Sequence, residues 1–218
     1  MTKETTEHRS GERVARFADI EVLSYRADLF GTLTPKQRML CYHLSEAALR
    51  GRDITTIQNC RYNLWVRSLM ERIYTHLSKS ERTDDFALLE EYLFCIWFAN
   101  GIHHHYSGSK FMARFSPEFL REALRVTGVE LEPEEQALLE RVLYDADFLP
   151  KQTEQSGEED IIKASSVNFY APGITRSEAE SHYKNLLEAL PEKEKSCPPS
   201  FGLNTRLIRS TSGELKDE

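Results

Sequence analysis

The stretch "DDFALLEEYLFCIWFANG", residues 84–101, decides the architecture. It opens on Asp84 and Asp85, carboxylates that suit the positive end of a helix dipole, and is apolar on nearly every side by Leu93–Ala99. A helix that is greasy all round must be covered all round, so the spacing predicts a buried helix stopped at Gly101. Its apolar run, "LFCIWFA" at 93–99, is far too short for the roughly 20 residues of a membrane span.

Helical signals flank this segment. In "TPKQRMLCYHLSEAALRGRD", residues 34–53, Thr34 is an N-cap, Pro35 takes the first helical position and Gln37 completes a capping box. Leu40, Leu44, Ala47 and Ala48 repeat at helical spacing, and Gly51 is expected to close the helix in a left-handed cap. In residues 61–77, Tyr62, Val66, Leu69, Ile73 and Leu77 form one face. Ser116-Pro117-Glu118 opens a helix through Leu120, Ala123 and Leu124 that ends near Gly128. Pro133-Glu134-Glu135 opens another, with Leu138, Leu139, Val142 and Leu143 on its apolar side. Thr175 and Glu178 form a second capping box ahead of Ala179, Tyr183, Leu186 and Leu190.

Between and around these helices the chain reads as irregular or extended. Residues 1–13 are polar and expected to be disordered, and 16–33 reads as a short helix or an extended arm. "KQTEQSGEED" (151–160) is a loop, "DIIKASSVNFYAPG" (160–173) is extended up to a turn at Pro172-Gly173, and "EKEKSCPPS" (192–200) is a linker. The end, "FGLNTRLIRSTSGELKDE" (201–218), predicts a strand over Asn204–Arg209 and a turn at Ser212-Gly213, with a short returning half. A half-hairpin is expected of a piece of a longer chain, and equally of a frayed natural tail. The fold class is therefore mainly α with a small β element (α+β). The expected layout is a flexible N-terminus over 1–16, a helical subdomain over 17–150, and extended segments with one helix over 151–218 that are incomplete at the end.

Hydrophobic residues make up 40% and charged residues 29%, a mixture that supports a core. Cys41, Cys60, Cys95 and Cys197 are far apart with no C-x-x-C pair. That pattern fits reduced thiols in a cytosol-like compartment rather than a disulfide framework. Cys41 and Cys95 sit in apolar helical contexts and are expected to be buried. The N-terminus has no apolar h-region of a secretory signal, so a cytoplasmic location is expected. The net charge of −7 is uneven: residues 130–160 hold eleven acids against Arg141 and Lys151, which leaves the remainder slightly positive. No basic stripe with interleaved aromatics occurs, so neither nucleic acid nor membrane is an expected partner.

The candidate site is "NGIHHHYSGSKF", residues 100–111. Neighbouring residues on a helix are about 100° apart, so three consecutive imidazoles cannot converge on one metal. On a strand His103 and His105 share a face, but two histidines still need a third ligand. No H-E-x-x-H, G-x-S-x-G or G-x-x-x-x-G-K-[ST] pattern occurs. His43 and Glu46, three apart on one helix, read as structural. The histidine segment remains open as a polar loop or as a peptide-recognition rim, since aromatics, an amine and imidazoles sit on a loop held by a rigid helix.

The ordered blocks "FADIEVLSYR", "LSEAALRGRDI", "QNCRYN", "NGIHHHYSGSKF", "VNFYAPGITRSEAE" and "GLNTRLI" resemble the N-terminal part of the dipeptidyl peptidase III family of zinc exopeptidases, most closely its bacterial branch. The resemblance runs from about Phe17 to Arg209. It implies a two-lobed enzyme that removes dipeptides from peptide N-termini, with this chain as the first part of the substrate-binding lobe. The family holds its zinc on an H-E-x-x-x-H helix and a later glutamate in the other lobe, and binds the peptide as an added strand across a cleft. None of those zinc-binding residues occurs in this chain, so no catalytic residue and no metal is expected in it, and the chain alone is expected to be inactive. Asn100, Gly101, His105, Tyr106, Lys110 and Phe111 are the substrate-binding positions that the resemblance suggests. Peptide substrates and the missing catalytic lobe are the expected partners. A lobe without its partner is expected to expose apolar surface and self-associate. The alternative is a non-catalytic helical module that binds peptides or proteins.

Overall fold

The computed structural model describes residues 11–77, 83–196 and 204–218. The element order is β1 (Glu12–Phe17), β2 (Ile20–Ser24), a 3-10 turn (Asp28–Thr32), α1 (Pro35–Asn59), α2 (Asn63–His76), α3 (Asp84–Ala99), α4 (Pro117–Val126), α5 (Pro133–Tyr144), the short α6 (Ile161–Ala164), α7 (Arg176–Glu188), the short α8 (Glu192–Lys195), β3 (Leu207–Arg209) and β4 (Leu215–Asp217). Helices dominate, with two small antiparallel sheets, β1–β2 and β3–β4. Among the described residues no helix is long and apolar enough to cross a membrane.

The buried helix lies where its composition demands. Leu89, Leu93 and Ile96 of α3 are fully covered by Val66, Met70 and Ile73 of α2, Leu120 and Leu124 of α4, and Leu139, Val142 and Leu143 of α5. Local chemistry sets the helix starts. Thr83 accepts from Phe86 N, and Ser116 from Phe119 N with Pro117 behind it. A smaller cluster of Ile174, Ala179 and Leu207 unites α7 with the β3–β4 hairpin. There the carboxylate of Asp217 accepts from Tyr183 Oη at 3.0 Å and from Thr205 Oγ1 at 2.9 Å. Asn168 N donates to Gln58 O at 2.8 Å and so ties this cluster to α1.

Several boundaries differ from expectation. Residues 12 and 13 are not disordered, and of the two alternatives for the stretch from Arg16 the extended one holds through Ser24: 12–24 form a hairpin, whose Phe17 ring meets Phe94 and Phe98 of α3 edge-on. α1 does not end at Gly51 but continues to Asn59. A glycine costs about 1 kcal/mol in a helix interior. Tertiary contacts offset that cost: Arg67 of α2 pairs with Asp53 at 2.8 Å, and Asn63 Nδ2 donates to Thr56 O at 3.0 Å. α3 ends on Asn100, the left-handed residue (φ 55°), one position before Gly101. Residues 161–164 are a helical turn rather than extended, because Asp160 accepts from Ile162 N and Lys163 N. Glu192–Lys195, expected as linker, is also a turn of helix, while the remainder of that linker from Cys197 lies outside the described residues. Cys95 is buried, but Cys41 is exposed. So are the expected apolar positions Leu40 and Leu44, because only Thr56 of α1 is buried.

Candidate peptide-binding site

Residues 100–111 leave α3 over the joint between α1 and α2. Asn63, fully buried, holds that joint: its Nδ2 donates to Thr56 O (3.0 Å) and Asn100 O (3.4 Å), and its Oδ1 accepts from Ile102 N (3.0 Å). Asn59 Nδ2 also donates to Asn100 O at 3.4 Å. Gly101 passes so close that a Cβ there would lie 2.1 Å from Asn63 Nδ2. Asn100 and Gly101 thus build the anchor of the loop.

Beyond the anchor the chain forms a tight ribbon. Phe111 N donates to Ile102 O, His104 N to Ser109 O, and Gly108 N to His104 O, all within 2.8–2.9 Å. A third segment lies alongside: Lys110 N donates to Pro150 O at 3.0 Å and Gln152 N to Gly108 O at 2.8 Å. Lys151 Nζ closes the pairing on Ser109 Oγ at 2.9 Å.

His103 parts from the other two histidines, whose rings pack together with centroids 4.5 Å apart. His103 points inward with 2% of its surface exposed, and its Nε2 lies 2.9 Å from Leu149 O. That carbonyl can only accept, so the proton sits on Nε2, and the bare Nδ1 is buried without a partner. Burial holds its pKa down at about 4. His104 Nδ1 accepts from the N–H groups of Tyr106 and Ser107, both at 3.1 Å, and its Nε2 faces Asp19 of the β1–β2 turn at 3.4 Å. The ring of His105 stands edge-on to Phe98, with centroids 4.8 Å apart. With His103 turned inward to Leu149 O, the three imidazoles do not converge on one point.

Lys110 also turns away from solvent. Its ammonium donates to Phe148 O at 2.5 Å and to Asp145 O, satisfying carbonyls just past the end of α5. Desolvation lowers its pKa. Replacing Lys110 with methionine leaves those carbonyls without their donor and is expected to cost about 1–3 kcal/mol in urea unfolding. An unchanged urea midpoint would show that the ammonium has no structural task.

The tip of the ribbon, His105–Gly108, and the arm Lys151–Ser156 enclose an open polar cleft of about 470 Å³. Tyr106 stands at this cleft with 91% of its surface exposed. Glu154 is on the opposite wall; hydrogen bonds from Ser156 hold its carboxyl below the usual range, so it is anionic at neutral pH. Of the six positions suggested by the resemblance, His105 and Tyr106 line this cleft. Asn100, Gly101 and Lys110 fasten it from behind, and Phe111 borders a separate cavity of about 440 Å³ with Tyr92 and Cys95. The arm 151–156 was not a candidate in the sequence. Its loop composition is plain, but its pairing partner lies some forty positions away and leaves no local signal.

A scan against protein-family models and a search of curated proteins returned no match.

Proposed function

We propose that the chain supplies the peptide-binding part of a two-lobed zinc exopeptidase of the dipeptidyl peptidase III type, working in the cytoplasm, with the catalytic metal held by a lobe outside these residues. On this reading the role of the chain is to bind and orient a peptide. The reading is supported most by the cleft at the ribbon tip: an extended peptide fits beside short paired segments, an exposed tyrosine offers a face for a side chain, and the Glu154 carboxylate suits a free α-ammonium group. Exopeptidases must recognise a free chain end, and a carboxylate in a polar cleft meets that need. Cys41, Cys60 and Cys95 are free thiols, which agrees with a reducing compartment.

Calorimetric titration with an unmodified tetrapeptide and its N-acetylated form tests this reading. The free-amine peptide is expected to bind, and acetylation, Glu154→Gln or Tyr106→Ala is expected to weaken binding by about tenfold, or ~1.4 kcal/mol. No heat of binding, or equal affinity for both peptides, would refute it. The chain alone is expected to leave a dipeptidyl-naphthylamide substrate uncut.

A further inference from the structure

His104 closes the ribbon tip from within. The chain enters and leaves the tip on two backbone bonds, His104 N to Ser109 O at 2.8 Å and Gly108 N to His104 O at 2.9 Å. Between them the ring does the work of a turn: Nδ1 accepts from Tyr106 N and Ser107 N, each at 3.1 Å. Asparagine and aspartate side chains hold turns by the same short reach to the backbone ahead of them. A ring nitrogen that accepts two N–H bonds must be bare, so in the neutral ring the proton sits on Nε2. That nitrogen faces Asp19 Oδ2 of the β1–β2 turn at 3.4 Å.

Protonation reverses this arrangement. An imidazolium carries N–H on both nitrogens, so Nδ1 would aim a donor at two donors. Either the ring leaves or the tip opens, and Tyr106 and Ser107, whose amides the ring holds, line the peptide cleft. Few groups face the ring. Asp19 favours its charged form, but that carboxylate is exposed and screened by water. His105, packed against it at 4.5 Å between centroids, opposes that charge when itself charged. Phe111, edge-on at 5.7 Å, carries none, and Lys151 of the neighbouring arm is turned to Ser109 Oγ. The loss of two hydrogen bonds outweighs the gain of one exposed ion pair.

We infer that His104, with Asp19 behind it, is the positioning residue of the peptide cleft and an acid-release latch. The uncharged ring holds Tyr106 in place for a peptide, and protonation lets the tip go. The consequence for binding rests on the peptide-binding reading, whereas the latch itself is read at the backbone without any peptide.

Two readouts on one series from about pH 7 to about pH 5 test it. Over that range Glu154 stays anionic, His103 with its pKa of about 4 stays neutral, and a peptide α-ammonium stays charged. The first readout needs no peptide: in the isotope-labelled chain the amide resonances of Tyr106 and Ser107 are expected to move together with the His104 ring signals as pH falls. The second is affinity for the free-amine tetrapeptide, expected to drop about tenfold across the series because binding excludes a proton. His104→Asn offers Oδ1 to the same two amides and does not titrate, so its amides and its affinity are expected to hold level. His104→Ala has no acceptor and is expected to bind about tenfold more weakly than His104→Asn at neutral pH. Asp19→Asn removes the charge that favours the imidazolium, and is expected to displace both transitions to lower pH by about half a unit. Its exposed position keeps the test decisive should a His104 variant fail to fold. Amides that stay still, a His104→Asn profile parallel to that of the unaltered chain, or an Asp19→Asn transition at the unaltered pH would overturn the latch, whether or not peptide binds. Amides that move in a chain that binds no peptide would uphold the latch and refute the peptide-binding reading.

Discussion

Gly101→Ala is expected to lower stability by about 2–4 kcal/mol and to loosen the whole 100–111 ribbon. Two effects combine. The backbone at Gly101 has φ 153°, a region that side chains rarely adopt, and the new Cβ would lie 2.1 Å from Nδ2 and 2.6 Å from Cγ of Asn63. Asn63 cannot retreat without giving up its bonds to Thr56 O, Asn100 O and Ile102 N. Gly157→Ala serves as a control, since that glycine also has positive φ but meets nothing within 4 Å; only the backbone cost of about 1–2 kcal/mol should appear. Asn63→Ala alone is also destabilising, because it strands the buried Ile102 N–H. The double variant Asn63→Ala/Gly101→Ala should then cost less than the two single losses together, since removing the amide removes the clash. Urea unfolding of the four variants measures each of these. Strict additivity would mean that the two residues do not press on one another.

The second large effect is acid sensitivity through His103. Its folded pKa is about 4, held down by burial, against an ordinary value near 6.5. Between these values the unfolded chain binds a proton that the folded chain refuses, so stability falls as pH drops through that window. The loss approaches roughly 3 kcal/mol once the folded form is also protonated. Depressed carboxylates such as Glu154, Asp160 and Glu178 also lose their stabilising contribution in acid by the same linkage, because the unfolded chain takes up a proton before the folded one does. A comparison with His103→Gln separates the two, because glutamine can still donate to Leu149 O yet does not titrate. The difference in unfolding free energy between the two proteins should change by about 3 kcal/mol from pH 7 to pH 4. Parallel pH profiles would show that the buried ring is not the sensor.

The helical core was legible because its signals are local. The all-round apolar character of residues 93–99, the capping box at Thr34 and the prolines at 35, 117 and 133 each act within one turn of helix. Boundaries set by distant partners were not. The run of α1 past Gly51 depends on Arg67 and Asn63, and the hairpin at 12–24 depends on the Phe17 ring finding α3. Leu40 and Leu44 show the limit of pattern reading from the other side, since periodicity marks an apolar face but does not supply the surface that covers it. At the candidate site, the unusual composition of residues 100–111 drew notice in the sequence. The division of labour within it rests on carbonyls at 145, 148 and 149 that no spacing rule connects to Lys110 or His103.

The central claim is that peptides bind between the ribbon tip and the 151–156 arm. Amide hydrogen exchange of the chain with and without a saturating free-amine tetrapeptide tests it most directly. Protection is predicted to rise at residues 105–108 and 151–156 and to stay unchanged along α4 and α5. Protection confined to other segments, or no change at the cleft under saturation, would contradict it.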